Sequence, residues 1–215
     1  GAGYTSFPDG NEYPFLVSDV ASDIMQLVNT IWPHRSFSIC GYSYGAIVGL
    51  HLKPKLPILE HLILIDPPLI DAPNLKSRIT ERLPLTHIVQ VLLEKEDPNE
   101  GLIAFADVVL PHRKRHPKIE NSLLQRLSFR PKGLAYCLNC INQAALDLPC
   151  PSKLSQLENV HVLLAESRGM KSINSIKEQI PDWHVSYLNG TTHALPFQKP
   201  EKTAQFITRV LTNLN

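Results

Sequence analysis

Apolar positions along the chain alternate between two spacings, and the alternation predicts the elements. From Phe15 to Ile31 they recur three and four residues apart (Leu16, Val20, Ile24, Leu27, Val28, Ile31), the signature of a helix with one buried face. Trp32-Pro33 ends that helix, because the residue before a proline is driven out of helical conformation. Ser36 to Cys40 is a short apolar stretch, Gly41 to Gly45 a turn, and Ala46 to Leu52 the start of a helix stopped by Pro54 and Pro57. His61 to Ile65 is almost continuously apolar, as expected of a strand buried on both faces of a parallel sheet. Val160 to Ala165 and Trp183 to Leu188 predict further strands, and Ile173 to Ile180 and Pro200 to Leu214 predict helices. Asn189 to His193 is a loop, Tyr4 to Phe7 a short strand and Asp9-Gly10-Asn11 a turn.

Residues 71 to 155 break this alternation. Helical spacing dominates there, at Leu75 to Leu83, His87 to Glu96, Leu102 to Leu110, Ile119 to Leu127 and Lys132 to Ala145, without a convincing strand. Alternating strands and helices around a long helical insertion predict an α/β fold with a mostly parallel sheet and right-handed crossovers. The expected organisation is a core in two parts, residues 1–70 and 156–215, around an inserted helical lid at 71–155.

With 215 residues, 43% of them hydrophobic, the chain suits one domain carrying an insertion. A net charge of +1 gives no bulk pull toward nucleic acid, and no aromatics interleave with the basic residues, so nucleic-acid binding is not expected. No apolar run approaches the ~20 residues of a membrane span. The four cysteines, Cys40, Cys137, Cys140 and Cys150, are too few for a disulfide framework, and Cys40 reads as an ordinary buried thiol. Without a basic-then-apolar leader the chain reads as cytoplasmic. The start at Gly1-Ala2-Gly3 leaves room for an upstream signal, N-terminal strands of the fold or further domains, and a divergent, inactive protein would fit the same start.

The chemistry centres on Gly41-Tyr42-Ser43-Tyr44-Gly45. It fits the G-x-S-x-G nucleophile elbow of the α/β-hydrolase fold, with a predicted strand leading in and a helix leading out. The sharp turn lifts the Ser43 hydroxyl above the sheet and sets the positive end of a helix beside a reacting carbonyl. Glycines at 41 and 45 remove side chains that would collide in so tight a turn. A serine hydroxyl needs a base, and the base needs an orienting acid. Among nine histidines, His193 alone sits in a loop between the last strand and the last helix. Two acids compete: Asp66 ends the strand after the nucleophile's helix, and Glu166 ends the strand Val160 to Ala165, the commoner acid position. Both lie at the carboxyl edge of the sheet, where such sites form.

Taken together, Gly41-Tyr42-Ser43-Tyr44-Gly45-Ala46, Leu64-Ile65-Asp66 before a proline-containing turn, Val162-Leu163-Leu164-Ala165 and Gly190-Thr191-Thr192-His193 resemble the thioesterase domain of animal fatty acid synthase. A tyrosine on each side of the serine is a more specific mark than the elbow, and Leu127-Ser128-Phe129 is similar to that family's lid. The resemblance runs from about Val17 to the C-terminus and is weak from Asp71 to Ile119. It implies Ser43 as nucleophile, His193 as base and Asp66, rather than Glu166, as the acid. It implies release of a long-chain fatty acid from the phosphopantetheine arm of an acyl carrier domain, with no cofactor or metal of the protein's own, and a place within a larger synthase. Polyketide and peptide synthase thioesterases share the pattern.

The backbone N–H of Tyr44 would be the first oxyanion donor. The His-Gly loop that supplies the family's second donor is missing before Phe15, unless Gly1-Ala2-Gly3-Tyr4 is its remnant. Loss of one donor costs about 3–4 kcal/mol of transition-state stabilisation. The fatty acyl chain would lie in an apolar groove of the lid, with Leu102, Ile103, Phe105, Leu123, Leu127, Phe129 and Tyr136 as lining candidates that equally suit the lid's own core. The same residues also serve a carboxylesterase or lipase-like hydrolase of oxygen esters, or a binding module that has lost its oxyanion hole. The basic run Pro111 to Lys118 reads as a solvated loop, or as a surface for an acidic carrier. His112, His116, Cys137 and Cys140 have zinc-like spacing without a supporting second pair, and Cys137-x-x-Cys140 has no preceding strand to support a redox role.

Overall fold

The computed structural model describes residues 11–72, 74–110, 117–149 and 151–212, with the backbone only for Ile119, Glu120 and Leu123. Among the described residues four strands, β1 (Phe37–Tyr42), β2 (Leu59–Ile65), β3 (Val160–Ala165) and β4 (His184–Leu188), form one parallel sheet in the order β1-β2-β3-β4. Helix α1 (Val17–Ile31) precedes β1, and α2 (Tyr44–Leu52) joins β1 to β2. Between β2 and β3 the described chain is helical: α3 (Leu75–Glu94), α4 (Asn99–Val109), α5 (Pro117–Leu127), α6 (Pro131–Asp147) and the single turn α7 (Pro151–Leu154). Helix α8 (Met170–Gln179) joins β3 to β4, and α9 (Leu195–Gln198) and α10 (Pro200–Thr212) follow.

The two inner strands explain their own composition. Leu62 and Leu64 of β2 and Val160, Val162 and Leu164 of β3 pack with α1, α2, α6 and α8 on one face. Ile63, Ile65, Leu163 and Ala165 point the other way, onto Leu195 and Val210 of α9 and α10. Alternate residues are therefore buried on opposite faces, which is why these strands read as unbroken apolar runs. Strand β1 lies at the edge of the sheet formed by the described residues. Cys40 pairs with Ile63 and faces the same side, but is exposed rather than buried as its sequence suggested, because it lies on the outermost strand.

Where two helices were expected at residues 75–83 and 87–96, one continuous α3 is found, with Pro84 inside it. Pro84 is on the exposed side, so the carbonyl it leaves without an amide partner faces water. Arg78 of α3 is buried and donates to the carbonyls of Leu148 (2.7 Å) and Pro149 (3.3 Å), tying α3 to the end of α6. Trp183 donates its indole N–H to the Leu154 carbonyl at 3.2 Å, linking the end of the helical segment to the start of β4. Among the described residues no helix is long and apolar enough to cross a membrane, and no cluster of metal-ligating side chains occurs. His112, His116 and the basic run through His116, Cys150, and the predicted elements at Tyr4 to Phe7 and Asp9-Gly10 lie outside the described residues.

Candidate active site

Ser43 sits between the end of β1 and the first residue of α2, with φ 53° and ψ −116°. A non-glycine residue with positive φ is strained, and such strain persists only where its surroundings over-determine it. Two features hold Ser43 there. Its N–H donates to the Ile65 carbonyl at 2.9 Å, fastening the turn to β2. Gly41 lies under the turn, where a Cβ would come within 2.3 Å of the Gly45 carbonyl oxygen and 2.7 Å of the Ala46 nitrogen. Gly45 differs from the sequence expectation: a Cβ there would meet nothing within 4 Å, so only the first glycine of the motif answers a collision. The Tyr44 amide opens α2, where a helix's first N–H groups lack acceptors inside the helix; the Ala46 amide of this turn donates to the Ser43 carbonyl at 3.0 Å. The candidate second donor segment, Gly1 to Tyr4, lies outside the described residues.

Ser43, His193 and Asp66 lie in one hydrogen-bonded line. The Ser43 hydroxyl is 2.8 Å from His193 Nε2, and His193 Nδ1 is 2.6 Å from Asp66 Oδ2. Asp66 follows the last residue of β2 in left-handed backbone (φ 44°), and its amide donates to the Leu163 carbonyl at 2.7 Å. Asp66 as a whole is 2% exposed, and its Oδ1 accepts from the Ala165 amide (3.1 Å) and from Arg168 Nε (2.8 Å). Burial pushes its pKa up, but the hydrogen bond from His193 and the Arg168 charge outweigh burial and hold it below the usual carboxylate range. Asp66 is therefore an anion that can fix the His193 tautomer with its proton on Nδ1, leaving Nε2 to accept from the serine.

Tyr42 adds a second hold on the histidine. Its hydroxyl donates to the His193 carbonyl at 2.6 Å, and its ring stacks on the imidazole with centroids 5.2 Å apart. Burial, then the nearby Asp66 charge, push the Tyr42 pKa up to about 12, so the phenol stays protonated and donating. Phe197 stands edge-on to Tyr42 at 6.4 Å and is 79% exposed, which leaves an apolar ring open to solvent beside Tyr42. Tyr44 reaches the other way, with its hydroxyl 3.5 Å from Cys140 Sγ, so the elbow touches α6.

Glu166 is not part of the line. Its Oε2 accepts from the Gly190 amide at 2.6 Å, while the Thr191 carbonyl accepts from the Ser167 amide at 3.0 Å. Glu166 thus braces the loop that carries His193 without touching the imidazole. Sequence reading missed Arg168, whose one signal is its place in Glu166-Ser167-Arg168, directly after β3 at the sheet's carboxyl edge.

Of the residues expected to line an acyl groove, Leu102 is fully buried in the main core and Phe105 and Leu127 pack against that core. Ile103 and Tyr136 are half-buried, Phe129 is exposed, and the Leu123 side chain is outside the described residues. A cavity of about 480 Å³ lies at the opposite, amino end of the strands, lined by Lys53, Leu56, Glu60 and Gln156 among others, and shares no residue with the line of three.

No protein-family model matches the chain, and no curated protein matches it significantly. Solved structures do. MenH from S. aureus superposes with a TM-score of 0.75 at 17% identity, over 99% of this chain and 80% of that one. A thermophilic esterase from Thermogutta terrifontis gives 0.68 at 19% identity, over 94% and 74%. A hydrolase from Pseudomonas aeruginosa gives 0.66 at 17%, over 94% and 74%. At these identities the likeness shows the fold, and the fold is that of the α/β-hydrolases.

Proposed function

We propose that this α/β-hydrolase-fold chain is a serine hydrolase that cleaves carboxylic esters through an acyl-serine at Ser43. The observation that carries the reading is the continuous relay from the Ser43 hydroxyl through both nitrogens of His193 to an ionised Asp66. In the reaction, Ser43 Oγ attacks the ester carbonyl while its proton passes to His193 Nε2. The imidazolium that forms lies against the Asp66 anion, and the oxyanion of the tetrahedral intermediate accepts from the Tyr44 N–H. His193 then returns the proton to the departing alkoxide. A water activated by the same nitrogen frees the acid. The open Phe197 ring, edge-on to the Tyr42 that stacks on the histidine, suits an apolar group on the substrate.

Similarity to a structure described as an esterase supports oxygen esters as the substrate class. A second reading rests on a different observation. Tyrosines on both sides of Ser43, and an acid on the strand after the nucleophile's helix, resemble the thioesterase domain of animal fatty acid synthase. On that reading the leaving group is the phosphopantetheine thiol of an acyl carrier domain, the product is a fatty acid, and residues 71–155 form the lid over the acyl chain.

Ser43→Ala tests the serine, and paired substrates test the leaving group. The variant should keep the wild-type thermal midpoint, lose fluorophosphonate labelling, and lose turnover of matched acyl thioesters and p-nitrophenyl esters alike. Turnover that survives in Ser43→Ala refutes the assignment. A preference for the thioester over the matched oxygen ester selects the second reading.

A further inference from the structure

In this fold the loop after β3 was one of two places to look for the acid, and here it presents an arginine to an acid that comes from β2. Arg168 uses three edges of its guanidinium. Nε donates to Asp66 Oδ1 at 2.8 Å, one terminal nitrogen to Asp71 Oδ1 at 2.9 Å, and the other to the Pro67 carbonyl at 2.5 Å. Asp71 is itself anchored, since Ser172 Oγ donates to its second oxygen and Ser175 Oγ lies 3.5 Å from its carbonyl. The Arg168 and Asp71 side chains are mostly shielded from solvent and that of Asp66 almost wholly so. A planar fork held on both carboxylates and a carbonyl is rigid in a way a lysine cannot copy.

We propose that Arg168 is a positioning residue that fixes the plane of the Asp66 carboxylate toward His193 and sets how much of its negative charge the imidazole feels. The inference rests on the serine-hydrolase reading. Arg168 touches neither Ser43 nor His193, so it acts through Asp66. Its first effect is geometric. With Oδ1 pinned by Arg168 and the Ala165 amide, Oδ2 is left as the acceptor for His193 Nδ1. Its second effect is electrostatic. A cation on the far side of Asp66 offsets part of the attraction that the carboxylate exerts on the imidazolium.

The test compares Arg168→Met and Arg168→Lys with wild type by the rate of fluorophosphonate labelling of Ser43 across pH 4.5–9, a readout that needs no knowledge of the substrate. Removing the cation in Arg168→Met should raise the acid limb by about half to one pH unit. It should also lower the plateau about tenfold, while KM for p-nitrophenyl acetate stays within about twofold, because Arg168 contacts no substrate. Arg168→Lys keeps the charge but loses the fork, so its limb should match wild type with a plateau about three- to tenfold lower.

An unmoved limb in Arg168→Met, or the same displacement in both variants, overturns the charge role. A wild-type plateau in both overturns the positioning role. If Arg168→Met does not fold, the Arg168→Lys plateau decides the positioning role. If the wild type itself is not labelled, the serine-hydrolase reading fails. The Arg168 inference is then decided by NMR titration of the His193 imidazole, which Arg168→Met should displace upward and an unchanged value would refute.

Discussion

Replacing Asp66 with asparagine separates the two candidate acids, and the surrounding donors dictate the outcome. Oδ1 accepts from both the Ala165 amide and Arg168 Nε. In Asp66→Asn the amide oxygen must take that place, because the NH2 group would face two donors. The NH2 then lies where Oδ2 was, 2.6 Å from His193 Nδ1. A donor there is satisfied only if Nδ1 carries no proton, which moves the proton to Nε2 and leaves nothing to accept from Ser43. The wrong tautomer costs roughly a thousand- to ten-thousand-fold in kcat, or about 4–5.5 kcal/mol. Glu166→Gln is the paired control. Its amide oxygen can still accept from Gly190, so the change should stay under about 1 kcal/mol. The assay is the pre-steady-state burst and turnover of p-nitrophenyl acetate, with circular dichroism to confirm folding. Asp66→Asn within tenfold of wild type, or a thousandfold loss in Glu166→Gln, would refute the assignment of roles.

The two motif glycines should part company: Gly41→Ala drives a methyl into backbone atoms that cannot turn aside and should cost about 3 kcal/mol or more by urea denaturation, together with fluorophosphonate labelling. Gly45→Ala points into open space within a helix and should leave stability within about 1 kcal/mol of wild type. Acid sensitivity should trace in part to a row of histidines at the amino end of the sheet, where His161 lies 3.3 Å from His61 and stacks on His184 with centroids 4.9 Å apart. Burial, then the charges of His184 and His61, hold the His161 pKa at about 4, below its unfolded value, so the stability it contributes is present above pH about 6.5 and lost as pH falls toward 4. After discounting for solvent screening this amounts to about 1–2 kcal/mol, and His161→Gln should flatten the decline by that much in denaturation at pH 7 and pH 4.5.

What could be read from the chain follows from how each feature is encoded. The inner strands announce themselves because both of their faces are buried, and α1 because one of its faces is. The elbow is legible because a strained turn needs a glycine at 41, whose absent side chain is answered by the Gly45 carbonyl. Other features depend on partners distant in sequence. Helix α3 runs through Pro84 because that residue faces water, which local spacing does not reveal. Cys40 sits in an apolar run yet is exposed, because its strand lies at the sheet's edge. Glu166 and Asp66 each directly follow a parallel strand, and nothing local tells which of the two reaches the imidazole of His193, far from both in sequence.

In the proposed function the acid comes after β2, and this has a consequence for the loop after β3. A carboxylate at the end of β3 would occupy that loop with the histidine. With Asp66 in the role, the loop is free to support the site from both sides. Glu166 and Ser167 hold the backbone at Gly190 and Thr191, close to His193, while Arg168 holds Asp66 and, through Asp71, the entry to the helical segment. One three-residue turn therefore fixes the distance between acid and base from outside their own hydrogen bond. Since a displacement of about 1 Å can cost a hundredfold in rate, that turn is the place where a change without contact to substrate or serine should reach catalysis most directly.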